Sequence, residues 1–187
     1  MLIIIILCAL IHLNRSYHDQ QPKILCVVSK NATSEDCSAL MLTFNCTVCQ
    51  LLSDYIQNSS EYFTNNTMLI FTDGRHCLPP PSGGETVINI TGVSNFTMKG
   101  LGKITYNPSE EGAIHSSSVI ACSCHGEKRS GILFYKSNSI VLENLTIEDC
   151  GTKFVVQRPD NFPLVSALTF RESYMISRLL KYAWIEA

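Results

Sequence analysis

The sequence lacks both a concentration of positive charge and a long apolar run. Its formal net charge is −2, and its 14 lysines and arginines are scattered over 187 residues. A nucleic-acid-binding face needs clustered basic residues, so we expect no nucleic-acid partner. The apolar stretch from Leu2 to Ile11 is shorter than the roughly 18–20 residues that cross a bilayer, and no other candidate span follows residue 13. The length predicts one domain with a real core.

The N-terminal apolar stretch has the features of a secretory signal peptide. Arg15 is the first charged side chain, and Ala9 and Ser16 are small residues near a cleavage position. We predict that residues 1–16 are a signal peptide and that the protein is secreted. An N-terminal core strand is the alternative.

Cysteine usage indicates an oxidising compartment. The chain has nine cysteines, and removal of Cys8 with the signal leaves an even number. Disulfide pairing is predicted without an assigned connectivity for these candidates: Cys26, Cys37, Cys46, Cys49, Cys77, Cys122, Cys124 and Cys150. Cys46 and Cys49 have thioredoxin-like spacing without a βαβ context. Cys122 and Cys124 lack the second pair that a zinc site needs, so we predict no metal site.

Acceptor triplets for N-glycosylation are unusually frequent. Asn14 begins one within the predicted signal, whereas Pro108 excludes the triplet at Asn107. The predicted glycosylation sites in the mature chain are Asn31, Asn45, Asn58, Asn65, Asn89, Asn95 and Asn144. Together with the cysteines, they predict an extracellular glycoprotein, located at the cell surface if the chain is part of a longer one.

Two segments precede the strand-like part of the chain. Residues 17–45 form a polar, cysteine-marked segment with loop signals. Apolar residues then recur at intervals of three and four over residues 46–60, which predicts an amphipathic helix at 47–56.

From residue 85 onward, short strand-like pieces repeat. Ile90, Phe134 and Phe170 are predicted to share one register position. Phe96, Ile140 and Ile176 are predicted to share another, six residues later. The first two copies are 44 residues apart, and residues 107–118 between them predict an extra strand layer or a large lateral loop.

The stretch "SIVLENLTIEDCG" (139–151) shows why a single flat strand is not enough. The alternation of Ile140 and Leu142 breaks and resumes one residue late at Leu145. A corner at Asn144 would reset the phase, because asparagine tolerates left-handed backbone. A similar three-residue step runs from Met98 to Leu101 through a glycine. Short parallel strands separated by such corners predict an all-β right-handed parallel β-helix of few rungs with an N-terminal capping helix. A β-sandwich would show clearer hairpin turns.

This phasing also orients the acceptor triplets. In the triplets at Asn89, Asn95 and Asn144, the middle residue is apolar and is predicted to face inward. Neighbouring side chains on a strand point to opposite faces, so the Asn and Thr of each triplet are predicted to face solvent.

The order of these pieces resembles the secreted pectin-lyase-like parallel β-helix proteins of unassigned function. The segments "CTVCQLL", "MLIFTDGRHCL", "VSNFTMKGLG", "GILFYKSNSIVLENLTIEDCG" and "SALTFRESYMIS" carry the resemblance over about residues 37–177. It implies that the first helix covers the open end of the coil, so residues 46–177 would be one unit of capping helix and rungs. Residues 178–187 lose the alternation, which predicts an irregular tail and an early stop or a fragment.

The resemblance also raises polysaccharide cleavage as an alternative function. Such hydrolases need clustered carboxylates, and Glu148-Asp149 is the acidic pair in the best-patterned stretch, with no matching carboxylate in another copy. We therefore predict no catalytic residues and no cofactor. His18, His76, His115 and His125 are predicted to be surface or loop residues.

The predicted role is non-catalytic recognition, adhesion or scaffolding, with extracellular glycans or proteins as partners. The alternatives are a polysaccharide lyase or hydrolase with degenerate catalytic rungs and the membrane-distal fragment of a receptor ectodomain. The outward surface is predicted to include Thr97, Lys99, Lys136, Thr146 and Glu148.

Overall fold

The computed structural model describes residues 21–79, 86–107, 113–122, 124, 130–148, 154–157, 168–171, 174–176 and 184–186. Within these ranges the chain forms short helices and mostly parallel strands. The helices are α1 (Ser34–Phe44), α2 (Leu52–Gln57) and α3 (Ser59–Tyr62).

Three parallel sheets contain most of the strands. Sheet A has the spatial order β14 (Leu168–Arg171), β11 (Asn138–Glu143), β6 (Ser94–Gly100), β3 (Thr67–Phe71), β1 (Lys23–Val28) and β2 (Val48–Leu51). Sheet B has the order β15 (Tyr174–Ile176), β12 (Thr146–Glu148), β9 (Ser118–Ala121) and β4 (Gly74–Cys77). Sheet C has the order β16 (Trp184–Glu186), β13 (Phe154–Gln157), β10 (Ser130–Tyr135) and β5 (Thr86–Thr91).

The predicted right-handed parallel β-helix is wrong as a fold class. The strands are short and parallel, but they lie in separate open sheets that are neither closed nor curled. The phase breaks in the sequence correctly place strands and bends, and open sheets satisfy the same local pattern. How sheets close is decided by contacts between distant parts of the chain, which an alternation of two residues does not encode.

The predicted capping helix at 47–56 is also wrong in its first half. Residues Val48–Leu51 form β2, which pairs in parallel with β1, and only Leu52–Gln57 are helical. In Val48–Leu51, pairing with β1 therefore outweighs the helical spacing of the apolar residues. Tyr55 of α2 donates its buried hydroxyl to the Cys26 and Val48 carbonyls, at 3.0 and 2.9 Å, so the short helix is anchored to both strands.

The register of the first two sequence copies is confirmed, whereas that of the third is wrong. Ile90 pairs with Phe134 between β5 and β10, and Phe96 pairs with Ile140 between β6 and β11. Phe170, however, pairs with Leu142 in sheet A rather than with Phe134. Ile176 pairs with Glu148 in sheet B rather than with Ile140.

The predicted bend at Asn144 is confirmed. Asn144 has a left-handed φ of 48°, and Leu142 and Leu145 on its two sides are both fully buried. Left-handed residues also align across sheet A, where Asn66 directly before β3 and the second residues of β6 and β11, Asn95 and Ser139, occupy equivalent register positions. Asparagine accepts this backbone conformation at little cost, which explains its use at these bends.

The interval after the first copy contains an antiparallel pair rather than another parallel layer. β7 (Ile104–Asn107) pairs with β8 (Ala113–Ser116), and the chain then enters sheet B through β9. The predicted lateral loop therefore includes a two-stranded sheet.

The core lies between the sheets and is built from inward apolar residues of consecutive strands. Phe96 contacts Phe63 and Phe134, with ring centroids 5.5 Å apart in both pairs. Such aromatic contacts contribute about 0.5–1.5 kcal/mol beyond the burial of apolar area. The side chains that are almost fully buried include Tyr55, Phe71, Leu25, Leu69, Leu78, Met98, Ile120, Ile140, Leu142 and Leu145.

Several predicted segments lie outside the described residues. They are the signal peptide at 1–16, Cys8, Cys150 and most of the tail at 178–187, of which only Trp184–Glu186 are described, as β16. In the part of the chain that is described, no helix has the length and apolar character of a membrane span.

Candidate recognition surface

Disulfides fasten the N-terminal elements to one another. Cys26 of β1 is bonded to Cys46, and Cys37 of α1 is bonded to Cys49 of β2. Cys46 and Cys49, which have thioredoxin-like spacing, thus belong to two different disulfides. A third disulfide joins Cys77 at the end of β4 to Cys124, and Cys122 is disulfide-bonded as well. These bonds fit an extracellular location.

Helix α1 is a surface helix that the sequence analysis assigned to loops. Thr33 and Asp36 form a capping box: the Thr33 hydroxyl accepts from the Asp36 backbone N–H, and the Asp36 carboxylate accepts from the Thr33 N–H at 2.8 Å. These hydrogen bonds lower the pKa of Asp36, so its carboxylate is charged at neutral pH. None of the side chains of α1 is buried, and Cys37 ties the helix to β2.

A groove of about 440 Å³ lies between α1 and the turns that follow β1 and β3. Its apolar lining includes the half-buried Ala32 and Leu40, and its polar lining includes the exposed Asn31, Asp36 and Asp73. The sequence signal that could have located this groove is Thr33 three residues before Asp36, a helix-start signature.

The residues predicted to face outward on the sheets differ in their contacts. Lys99 donates to the Glu143 carboxylate at 2.6 Å across β6 and β11. Lys136 is exposed and lies over the ring of Tyr135, with its Nζ 5.4 Å from the ring centroid. Thr97 is half-buried.

Glu148, the acidic residue that the sequence offered for acid–base chemistry, is paired with Arg75. The Arg75 guanidinium donates to its carboxylate between β4 and β12. The Glu148 carboxylate is therefore part of an ion pair between two strands of sheet B. Asp149 lies outside the described residues.

The outward placement of Thr146 is wrong. Thr146 is buried, and its Oγ1 accepts from the Ser116 N–H and donates to the Ser116 carbonyl, both at 2.8 Å. Thr146 and Ile147 are both buried although neighbouring strand residues face opposite sides, because the segment at Ser116 covers the side of β12 that carries Thr146.

Most of the described acceptor asparagines are exposed. Asn65 uses its Oδ1 to accept from the Ser94 N–H at 2.8 Å, which leaves its Nδ2 to solvent. Asn95 donates from Nδ2 to the Oδ1 of Asn66 at 3.0 Å on the surface. Exposed acceptor residues in the described ranges are Asn31, Asn45, Asn58, Asn65 and Asn95. The side chain of Asn89 lies outside those described.

Asn144 differs from the other acceptor residues. It is half-buried, and its Nδ2 donates to the Gly100 and Gly102 carbonyls, both at 2.9 Å. Ser118 completes the arrangement, because its Oγ accepts from the Gly102 N–H at 2.7 Å and donates to the Thr72 carbonyl at 2.9 Å. Asn144 therefore ties the bend to the segment at Gly100 and Gly102, and Ser118 ties that segment to Thr72.

His76 is buried rather than exposed, contrary to the prediction of surface or loop histidines. Its Nε2 donates to the Thr72 carbonyl at 2.9 Å, and its ring packs edge-on against Phe71. Burial lowers the pKa of His76, an effect that the hydrogen bond with Thr72 opposes. Among the described residues, no three His, Cys, Asp or Glu side chains are grouped closely enough to hold a metal ion.

Comparisons with known proteins give no family assignment. No protein family, no curated protein and no solved structure matches the chain. The resemblance to pectin-lyase-like proteins therefore receives no support from these comparisons.

Proposed function

We propose that the chain is a secreted, N-glycosylated, non-catalytic module for recognition, adhesion or scaffolding in the extracellular space. Its partners would be extracellular glycans or proteins that contact the exposed faces of the sheets and the region around α1. Polysaccharide cleavage is the competing function.

The main support is the pairing of Glu148 with Arg75 across sheet B. A general acid in glycoside hydrolysis must present its carboxyl group to the glycosidic oxygen of the substrate. The Glu148 carboxylate instead contacts the Arg75 guanidinium. Glu143 has the same kind of partner in Lys99. Both carboxylates are therefore paired with a cation, as is typical of surface residues with a structural role.

The disulfides and the exposed acceptor asparagines support the location. The Cys26–Cys46 and Cys37–Cys49 disulfides link β1, α1 and β2, and an oxidising compartment would keep these bonds intact. The exposed asparagines at positions 45, 58 and 95 place acceptor nitrogens where a sugar chain has room.

The test is to express the chain in a eukaryotic secretory host and to examine both the product and its activity. We expect recovery from the medium in N-glycosylated form and no cleavage of a pectin and alginate panel. A Glu148→Gln variant is the matched control. Release of reducing or unsaturated ends that this variant abolishes would overturn the non-catalytic role, and an unglycosylated product would overturn the glycoprotein assignment.

A further inference from the structure

The groove beside α1 has an attachment point for a ligand on its own rim. Asn31, which begins the acceptor triplet Asn31-Ala32-Thr33, is exposed and lines the groove. A sugar linked to its Nδ2 would start at the edge of a cavity of about 440 Å³, which is within the size range of small-ligand sites. The other exposed acceptor residues do not line this groove.

The lining also fits the chemistry of the first sugar of an N-linked glycan. N-acetylglucosamine presents an acetyl methyl group and an apolar ring face, for which Ala32, Ala39 and Leu40 provide apolar contacts. Its hydroxyl groups and amide N–H are donors, for which the Asp36 and Asp73 carboxylates are acceptors. Hydrogen bonds to an ionised acceptor are stronger than those between neutral groups.

We propose that this groove holds the first N-acetylglucosamine of a glycan attached to Asn31 of the same chain. The inference rests on the proposed function, because it requires N-glycosylation. Covalent attachment makes docking intramolecular, so even weak contacts suffice to populate the docked state.

The docked sugar would stabilise α1. This helix buries none of its side chains, so its local opening is opposed mainly by the Cys37–Cys49 bond and by surface contacts. Elements with few buried contacts open at low free energy, and a ligand that bridges such an element to the rest of the fold slows its opening. The sugar would add contacts between α1 and the turn at Asp73.

The experiment is hydrogen exchange of the α1 amides in four forms of the secreted protein. They are the fully glycosylated chain, the same chain trimmed enzymatically to one sugar per site, Asn31→Gln, and Ala39→Gln, which places a larger side chain in the groove. Asn58→Gln is the matched control, because Asn58 is exposed, lies outside α1 and does not line the groove.

We expect the trimmed chain to exchange as slowly as the full glycoform, and both groove variants to exchange about fivefold faster, the factor that corresponds to about 1 kcal/mol. The control should match the unmodified protein. If Asn31→Gln exchanges as slowly as the glycosylated protein, the docking is overturned. If mass spectrometry finds Asn31 bare but other sites occupied, only the docking fails; if every site is bare, the proposed function fails as well.

Discussion

Asn144 and Gly100 are packed directly against each other at the bend after β11. Asn144 donates from Nδ2 to the Gly100 carbonyl at 2.9 Å, while a Cβ added to Gly100 would lie 1.9 Å from the Asn144 carbonyl oxygen. The bend after β11 therefore depends on an asparagine on one strand and on the absence of a side chain on the next. Both residues belong to a structural contact that also includes an acceptor triplet.

The first prediction concerns the modification of Asn144. Both hydrogens of its Nδ2 are used in bonds to backbone carbonyls, so the folded bend has no place for a sugar at this nitrogen. We expect enzymatic deglycosylation in heavy-oxygen water to label Asn95 and to leave Asn144 unlabelled. Asn144→Asp should leave the glycan mass unchanged and should lower the free energy of unfolding by about 2 kcal/mol, since two buried carbonyls lose their donor.

Asn95→Asp is the matched control for that prediction. Asn95 occupies a left-handed position like Asn144 but is exposed, and its Nδ2 donates to the side chain of Asn66 rather than to backbone carbonyls. We expect it to remove one glycan and to change stability by less than about 0.5 kcal/mol. A labelled Asn144 would show that its two hydrogen bonds in the bend do not prevent glycosylation.

The second prediction concerns glycine at the close approach. Gly100→Ala should destabilise the fold by about 1–3 kcal/mol or more, because the new Cβ meets backbone oxygen and Ser118 Cβ rather than a movable side-chain end. Gly92→Asn is the control, since Gly92 has a left-handed φ of 71° and nothing within 4 Å of an added Cβ. In urea titrations, the unfolding midpoint of Gly100→Ala should be lower than that of Gly92→Asn. Equal midpoints would contradict the close packing at Gly100.

The third prediction concerns pH. Because burial lowers the pKa of His76 below its ordinary value of about 6.5, the unfolded chain takes up the proton first as the pH falls. The stability that neutral His76 contributes is present above that value and is lost as the pH falls through 6.5 toward the folded pKa. His76→Gln, which keeps an N–H for the Thr72 carbonyl, should flatten the stability profile between pH 7.5 and 5. A profile identical to that of the unmodified chain would exclude His76 as the titrating group.

The fourth prediction concerns the disulfides. Peptide mapping should recover the three described bonds and a fourth between Cys122 and Cys150, because Cys8 falls in the predicted signal. Serine pairs replacing Cys77–Cys124 should cost about 1 kcal/mol more than those replacing Cys37–Cys49, since the chain separations are 47 and 12 residues. Denaturation under non-reducing conditions measures the difference. Equal losses would indicate that loop entropy does not dominate.

The parts of the fold that follow from neighbouring residues could be predicted from the sequence. The inward positions of Ile140 and Leu142 and the bend at Asn144 depend on alternation and on one residue's backbone tolerance. The partner of Phe170 depends on which distant strand lies beside β14, and several strands offer an apolar residue at similar spacing. Sheet closure depends on the sum of such pairings, so it could not be predicted.

The candidate site likewise combines features that neighbouring residues indicate with features that depend on distant residues. The polar start of helix α1, Ser34-Glu35-Asp36, suggests a loop, although Thr33 and Asp36 form a helix-start signature and Cys37, Leu40 and Phe44 recur at helical spacing. Thr146 is covered by Ser116, which lies 30 residues away in the chain, and alternation along one strand does not indicate such a contact. The pairing of Arg75 with Glu148 joins residues 73 positions apart, which no local pattern indicates.

The bond between Cys37 and Cys49 makes the groove dependent on an oxidising environment, because α1 forms one wall of the groove. Reduction of that one bond would release an eleven-residue helix whose departure uncovers no buried side chain of its own. The sheets would keep their interior, but one wall of the cavity would be gone. A chain in which only this bond is reduced would therefore keep its core and differ from the oxidised chain in the surface it presents.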